Sequence, residues 1–410
     1  MNLPYQLFIA FRYFRSKKTN RGISLNTLIS VGGVALGVTA LTTVLSVMGG
    51  FHDDLQSKIL GVNAHIVVLN YTGKIKDHEL LIEKINRIQG VSSSSPVVYG
   101  QVMLGFEDRA NGVMVRGIEP EIESETTDVL EFIKEGSVED FIENSSDIPG
   151  IAVGRGLSRN LGLFVGDEIT MISPVGDIGP MGMLPKMKKF KVAAIFEVGM
   201  YEYDSSLALV NMADAQEFFK LDGEVTGIEV KVDNIYNSKE IAEKVESLLG
   251  APHYARDWME MNRNLFSALE LEKYVMFLIL VLVILVASFN IISNLIMIVM
   301  EKAREIAVIK AMGAAKGGIM LIFMAHGLII GVIGTAIGLA SGYVLCRLLQ
   351  TYQFIDLPPD VYYLSYLPVR VSMVEFIVVA STAVMISFIA TIYPSWQAAK
   401  MDPVEALRYE

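Results

Sequence analysis

The sequence predicts an α-helical membrane protein with four transmembrane helices and a large mixed α/β exported domain inserted between helices 1 and 2. Three observations carry that expectation. Residues 22–51, 274–300, 319–346 and 376–399 each run without an Asp, Glu, Lys or Arg. A helix rises about 1.5 Å per residue, so roughly 20 apolar residues cross a hydrocarbon core of roughly 30 Å, and all four stretches are longer. The chain is 52% hydrophobic with a mean hydropathy of +0.44, too apolar for an ordinary soluble protein. Charge is also unevenly divided: residues 51–273 hold 21 Lys or Arg against 37 Asp or Glu, a net −16 beside −11 for the whole chain.

Taken in order, residues 1–22 form a basic lead with Arg12, Arg15, Lys17, Lys18 and Arg21 and no acid. Within it, Leu7, Phe8, Phe11 and Phe14 follow helical spacing and suggest an interfacial amphipathic helix over 3–16. The first span, 23–50, is longer than the roughly 7–15-residue apolar core of a signal peptide and reads as an uncleaved anchor. The exported domain covers 51–272, the second span 273–300, and a short cytoplasmic loop 301–318. Span three is 319–347, an external loop 348–372, span four 373–398 and a cytoplasmic tail 399–410. The short segments set orientation: the lead is basic, and the 301–318 loop carries Lys302, Arg304, Lys310 and Lys316 against Glu301 and Glu305. The sole cysteine, Cys346, lies in span three, so the domain must fold without a disulfide.

Within the domain, alternating short elements predict a compact α/β module. Strands are expected at 64–69, 97–104, 112–117, 168–173, 190–197, 207–211 and 229–233. Helices are expected at 77–88, 155–161, 213–219 and 238–249, with acidic surface helix and loop over 119–147. Residues 256–273 are helical in pattern and enter span two without a Pro or Gly, predicting one continuous rod.

Catalytic motifs are lacking. Gly154-Arg-Gly156 fails as a nucleotide fingerprint because position 159 is Arg, and the five histidines have no metal-ligand spacing. The spans hold no charge of the kind a gradient-driven transporter places at mid-membrane, so energy is expected from an outside ATPase. His326, Asn290 and Asn294 read as interhelical hydrogen-bonding residues. Gly327, Gly331, Gly334, Gly338 and Gly342 in span three, with Gly33 and Gly37 in span one, mark close helix packing, either internal or with another copy.

Two short stretches point to partners. Glu301 to Lys316 reads as an amphipathic helix with Ile306, Val308, Ile309 and Met312 on its apolar side, closed by Gly313. A cytoplasmic helix this apolar needs cover, either an ATPase groove or the membrane surface. Residues 173–186 separate two strands with Gly and Pro at alternating places; this is either a loose hairpin tip or, given Met181, Met183 and Leu184, an adaptable protein contact.

Several pieces together resemble one family. They are Phe8-Ile-Ala-Phe-Arg-Tyr-Phe14, residues 33–38 and 45–51, Ile59-Leu-Gly61, Gly199-Met-Tyr-Glu-Tyr-Asp204, residues 301–314, and the ending from Tyr393-Pro394 through Asp402-Pro-Val-Glu-Ala-Leu-Arg-Tyr-Glu410. The chain is similar to lipoprotein-releasing permeases of the LolC/LolE type, within the FtsX-like and MacB-like four-helix ABC permease group. That resemblance implies a periplasmic core domain on a bacterial (Gram-negative) inner-membrane protein with both termini cytoplasmic. It implies a LolD-like cytoplasmic ATPase dimer that binds the ATP and Mg, this chain holding no cofactor. A coupling helix would bear Glu301, Arg304, Glu305, Ile306, Ile309, Lys310, Met312 and Gly313. A hook of Pro180, Met181, Gly182, Met183, Leu184 and Pro185 would contact a LolA-like periplasmic chaperone. Val44, Val47, Met48, Phe51, Met276 and Leu280 would line the path of the lipoprotein's acyl chains, facing a second permease copy or a paralogue. A hook combined with features of both subunit types favours a dual-role homodimer. Competing readings are an FtsX-like transmitter acting on a cell-wall hydrolase, a MacB-like efflux component, and a plain membrane-anchored binding protein.

Overall fold

The computed structural model describes residues 9, 21–138, 141, 148–173, 177–179, 182–352 and 367–402; at 21–26, 177–179, 182–184, 280 and 284 it describes the backbone alone. The expected interfacial helix over 3–16, apart from Ile9, and the ending beyond Asp402 lie outside those residues. In chain order the helices are α1 (Arg21–Val62), α2 (His78–Asn86), α3 (Pro120–Thr126), α4 (Arg155–Leu161), α5 (Tyr201–Ser206) and α6 (Met212–Phe219). They continue with α7 (Ser238–Leu249), α8 (Trp258–Met261), α9 (Arg263–Glu301), α10 (Ala303–Ala311), α11 (Lys316–Tyr352) and α12 (Met373–Lys400). The strands are β1 (Ile66–Asn70), β2 (Val91–Phe106), β3 (Arg109–Ile118), β4 (Ile133–Gly136), β5 (Gly150–Gly154) and β6 (Glu168–Ile172). After them come β7 (Asp177–Gly179), β8 (Gly182–Leu184), β9 (Met187–Phe196), β10 (Leu207–Asn211), β11 (Gly227–Val232) and β12 (His253–Asp257).

The described residues divide into two units, an α/β unit over Asp53–Ser267 and a helical unit built from the residues before and after it. In the α/β unit β2 is shared between two arrangements. Val91–Val97 pairs with β11 in an antiparallel sheet of order β12-β1-β11-β2. From Val98 onward, pairing passes through β3, β10, β5, β9 and β6 and returns to Met103–Gly105 of β2. Those six strands close a ring, which removes the exposed sheet edge that an open arrangement would leave.

The ring explains why several strands read as continuous apolar runs instead of alternating ones. In β10, Ala208 and Val210 join one buried cluster and Leu207 and Leu209 join another. In β5, Ile151 and Val153 face the first cluster and Ala152 the second. A strand buried on both faces has no polar alternation to announce it. That is why β5 escaped the sequence reading.

The expected rod over 256–273 starts later than its pattern suggests. Arg256 and Asp257 belong to β12, paired with Val67 and Ile66 of β1. Asn262 interrupts the helix after α8, and α9 is continuous from Arg263. Edge pairing to β1 outweighs helix propensity for those two residues.

Among the described residues, four helices are long and apolar enough to cross a membrane: α1 from Thr27, α9, α11 and α12. Five glycines of α11 pack internally, against two different helices. A Cβ on Gly334, Gly338 or Gly342 would lie 2.8 Å, 2.6 Å or 2.1 Å from atoms of Val34, Val38 or Thr42 in α1. A Cβ on Gly327 or Gly331 would lie 2.0 Å or 2.5 Å from Thr391 or Ser387 in α12. Small residues at a spacing of four let backbones approach within side-chain distance, so α11 is the centre of the helical unit. Asn290 of α9 receives a hydrogen bond from Ser30 Oγ at 3.3 Å, joining α9 to α1.

Candidate functional site

The stretch from Glu301 to Lys316 is a helix with a break before it and a turn after it. α9 ends at Glu301, Lys302 leaves helical geometry, α10 follows, and Gly313 at φ 96° leads into α11. Only glycine adopts that left-handed angle without strain. Ile306 does not sit on an outward apolar side: it is buried among Ile298, Val299, Ile319, Phe323 and Ala398. α10 therefore covers the ends of α9, α11 and α12 with its inner face. Lys310 Nζ donates to the carbonyls of Ala399 at 2.7 Å and Met401 at 2.5 Å, which satisfies acceptors left open at the end of α12. Lys302 pairs with Glu305. What remains outward is Arg304, Val308 and Met312, four apart on one face; Met312 is 83% exposed and Val308 46%. Glu301 and Glu305 are exposed beside them, and Ile309 is half-buried.

Of the candidate hook, Gly182–Leu184 form one strand of a two-stranded β-ribbon, followed by Pro185. β7 pairs antiparallel with β8, Ile178 opposite Met183 and Gly179 opposite Gly182. Its base is closed where Ser173 N–H donates to Lys186 C=O at 2.9 Å, continuing the β6–β9 ladder through Ile172 and Met187. Pro180 and Met181 lie outside the described residues, as do the side chains of Met183 and Leu184; Pro185 is exposed. At the root, Lys188 Nζ binds Asp214 at 3.0 Å and Glu217 at 2.5 Å, tying the ribbon to α6.

Of the expected acyl-chain lining, Val44, Val47, Met48 and Phe51 fall on one face of α1 at helical spacing. Val44 is exposed and the other three are half-buried. Met276 of α9 is half-buried; for Leu280 the backbone alone is described. On the same two helices His52 Nε2 lies 3.7 Å from the Glu272 carboxylate. A separate narrow apolar crevice lies between Val34, Val38 and Leu41, Val283 and Ile291, and Ile386. None of the expected lining residues whose side chains are described contributes to it.

The α/β unit holds a cavity of about 580 Å³ that the sequence reading missed. Leu55, Ile59 and Met200 form its buried apolar floor; Glu202, Tyr203, Glu260, Asn262 and Arg263 supply polar walls. The signal that could have found it is the Gly199–Asp204 motif. Asp204 accepts hydrogen bonds from the N–H groups of Val198 at 2.8 Å and Gly199 at 3.0 Å, folding the loop that carries Met200 to Tyr203. Burial raises the Asp204 carboxyl above the usual carboxylate range, opposed by those two donors. Gly154 and Gly156 belong to the same construction: a Cβ on Gly154 would lie 2.3 Å from the Asp204 carbonyl oxygen. Their spacing serves close packing on α5. Asp204→Ala strands one buried and one half-buried amide and is expected to cost about 1–3 kcal/mol, read as a lower unfolding midpoint of the full chain in detergent.

Comparison with known proteins places this geometry. Residues 27–248 match the model of the MacB-like periplasmic core domain, and residues 277–403 match that of the FtsX-like permease C-terminal region. The chain is 35% identical to the lipoprotein-releasing system transmembrane protein LolC of Xylella fastidiosa, over 99% of both chains. It is 36% identical to the LolC of Neisseria meningitidis, again over 99% of both. To the lipoprotein-releasing system transmembrane protein LolE of Haemophilus influenzae it is 30% identical over 99% of both.

Proposed function

This chain belongs to the LolC/LolE family of lipoprotein-releasing system transmembrane proteins, and from that premise we propose that it is the membrane subunit of an ATP-driven complex that extracts lipoproteins bound for the outer membrane from the inner membrane. The observation that carries the energy step is the outward Arg304–Val308–Met312 face of α10, on a chain with no nucleotide-binding motif of its own. That face suits docking into a separate cytoplasmic ATPase. Lys and Arg near the short 301–318 segment support a cytoplasmic position for it, and hence a periplasmic position for the α/β unit.

Physical chemistry sets the task. A lipid chain of about fifteen methylenes resists leaving the bilayer by on the order of 12 kcal/mol. Release therefore needs both an energy source and an apolar acceptor. The β7–β8 ribbon, with Met181, Met183 and Leu184 in its tip sequence, is suited to holding a soluble periplasmic carrier. The Val44–Phe51 face of α1, with Met276 and Leu280 from a second copy, supports the acyl path. The cavity floored by Leu55 and Ile59 has walls suited to the polypeptide beside the lipidated residue, where amides and charges outnumber methylenes.

The test uses vesicles carrying the full chain with its ATPase and a lipoprotein. Release is expected only when ATP and a soluble apolar acceptor are both present. A photo-reactive residue at Met312 should capture the ATPase, and one at Met181 the acceptor. ATP hydrolysis with no lipoprotein leaving under any acceptor would overturn the reading and favour a signal transmitter.

A further inference from the structure

The α/β unit buries a charged cluster that no part of the transport reading uses. Arg116 of β3, Glu123 of α3 and Glu229 of β11 are at most 1% exposed. Arg116 Nη2 donates to both carboxylates, and its Nη1 donates to the Val62 carbonyl at 2.6 Å. Tyr99 of β2 donates to Glu229, Thr127 to one Glu123 oxygen, and Ser95 to the other at 3.2 Å. Burial raises the Glu229 carboxyl to about 7, partly opposed by Arg116.

Val62 is the last residue of α1, and its carbonyl is among the acceptors a helix leaves open at its C-terminus. A guanidinium there satisfies the acceptor and complements the helix dipole. The same last turns are gripped elsewhere. Asp128 N–H donates to Gly61 C=O at 3.0 Å, Lys58 Nζ to Gly199 C=O at 3.1 Å, and Asn63 Nδ2 to Tyr203 Oη at 2.5 Å. Leu55, Ile59 and Val62 are each 1% exposed. Yet α1 is one unbroken helix from Arg21, so whatever turns or shifts its membrane stretch is delivered to this end. The strands that hold it belong to both arrangements of the unit, β3 to the ring and β11 to the open sheet.

We propose that Arg116, held by Glu123 and Glu229, is a positioning residue that seats the end of α1 in the α/β unit, so that movement of the first span is passed to the domain instead of being lost in fraying of the last turn. This rests on the lipoprotein-release reading for its functional consequence, but its structural half can be tested without it. Buried ion clusters can be replaced by apolar side chains of similar volume with the fold retained, which makes a clean variant available. The triple substitution Arg116→Met, Glu123→Met, Glu229→Leu and the milder Glu229→Gln are compared with the unaltered chain, each assembled with its ATPase in vesicles.

Three quantities are read: ATP hydrolysis, lipoprotein released per ATP, and amide exchange at Gly61–Asn63. The triple variant is expected to keep hydrolysis within about threefold, to lose at least tenfold in release per ATP, and to exchange at Gly61–Asn63 at least tenfold faster. Glu229→Gln should shift both readouts in the same direction by a smaller factor. Unchanged exchange at Gly61–Asn63 in both variants overturns the proposal, whatever release does. So does faster exchange with unchanged release per ATP. If the unaltered assembly hydrolyses ATP but releases nothing, the transport reading fails on its own, and the exchange measurement still decides whether Arg116 seats α1. Should the triple variant not fold, Glu229→Gln supplies the same comparison.

Discussion

Replacing Met312 by Glu, alone or with Val308→Glu, is expected to lower ATP-driven release at least tenfold while the chain stays folded. Met312 is 83% exposed and Val308 46%, so neither is needed by the helical unit itself. Surface changes away from packed groups usually stay within about 0.5 kcal/mol. Covered by an ATPase, the same side chains would lie at the centre of a small contact, where truncating an anchor costs about 2 kcal/mol or more. Each 1.4 kcal/mol is about a factor of ten in association. A buried carboxylate costs more than a truncation, and two more so. Ile306→Ala is the contrasting case. It removes a side chain packed among Ile298, Ile319 and Phe323, so it should lower the unfolding midpoint by an amount matching about 2–5 kcal/mol. Co-purification of the ATPase, release from vesicles and unfolding in detergent separate the two outcomes. If Met312→Glu with Val308→Glu retains both the ATPase and release, the outward face of α10 is not the docking surface.

That contrast shows where sequence pattern stops. The sequence reading puts Ile306, Val308, Ile309 and Met312 on one apolar side. Ile306 and Val308, two apart, point to opposite sides of a helix, whereas Val308 and Met312, four apart, share one, so Ile306 faces inward and the other two face outward. Spacing fixes neighbours on a helix but not which neighbours face the core when three other helix ends need cover. The four spans were legible because absence of charge over more than 20 residues leaves few alternatives. The two-sided burial of β5 and β10 hid one strand, and pairing of Arg256 with Val67 turned the start of an expected rod into an edge strand. The Arg116 cluster was illegible for a simpler reason. Glu123 lies seven residues from Arg116, Glu229 lies 113 away, and each reads singly as a solvated charge until β2 and β11 bring them together. The Gly199–Asp204 motif was noticed only as a resemblance. Its physical content, a carboxylate folding a loop that lines a cavity, needed the two amide bonds to Asp204.

Gly338→Leu is the single substitution expected to harm the helical unit most. A Cβ there would fall 2.6 Å from Val38 Cβ and 2.7 Å from the Ala35 carbonyl oxygen, both in α1. The carbonyl belongs to a helical backbone and cannot step aside, so relief requires the two helices to move apart. Separation also breaks the contact of Thr39 Oγ1 with Gly338 C=O at 3.2 Å and with Ser341 Oγ at 2.6 Å. It opens the dry seam along Val34 and Gly334 as well, where dispersion contacts are lost without any compensating entry of water. Overpacking of this kind costs about 1–3 kcal/mol and sometimes more. The added loss of packing along three turns puts Gly338→Leu at the upper end, enough to reduce accumulation of folded chain in the membrane several-fold. Gly32 of α1 meets nothing within 4 Å of an added Cβ, so Gly32→Leu should leave accumulation and unfolding unchanged. Gly338→Ala lies between, because its methyl group meets Val38 and the same carbonyl but reaches no further. The order Gly32→Leu, Gly338→Ala, Gly338→Leu in folded yield tests the internal α1–α11 contact against the alternative that these glycines serve another copy. If Gly338→Leu matched the unaltered chain in folded yield and unfolding midpoint yet failed to pair with a second copy, the glycine seam would belong between chains.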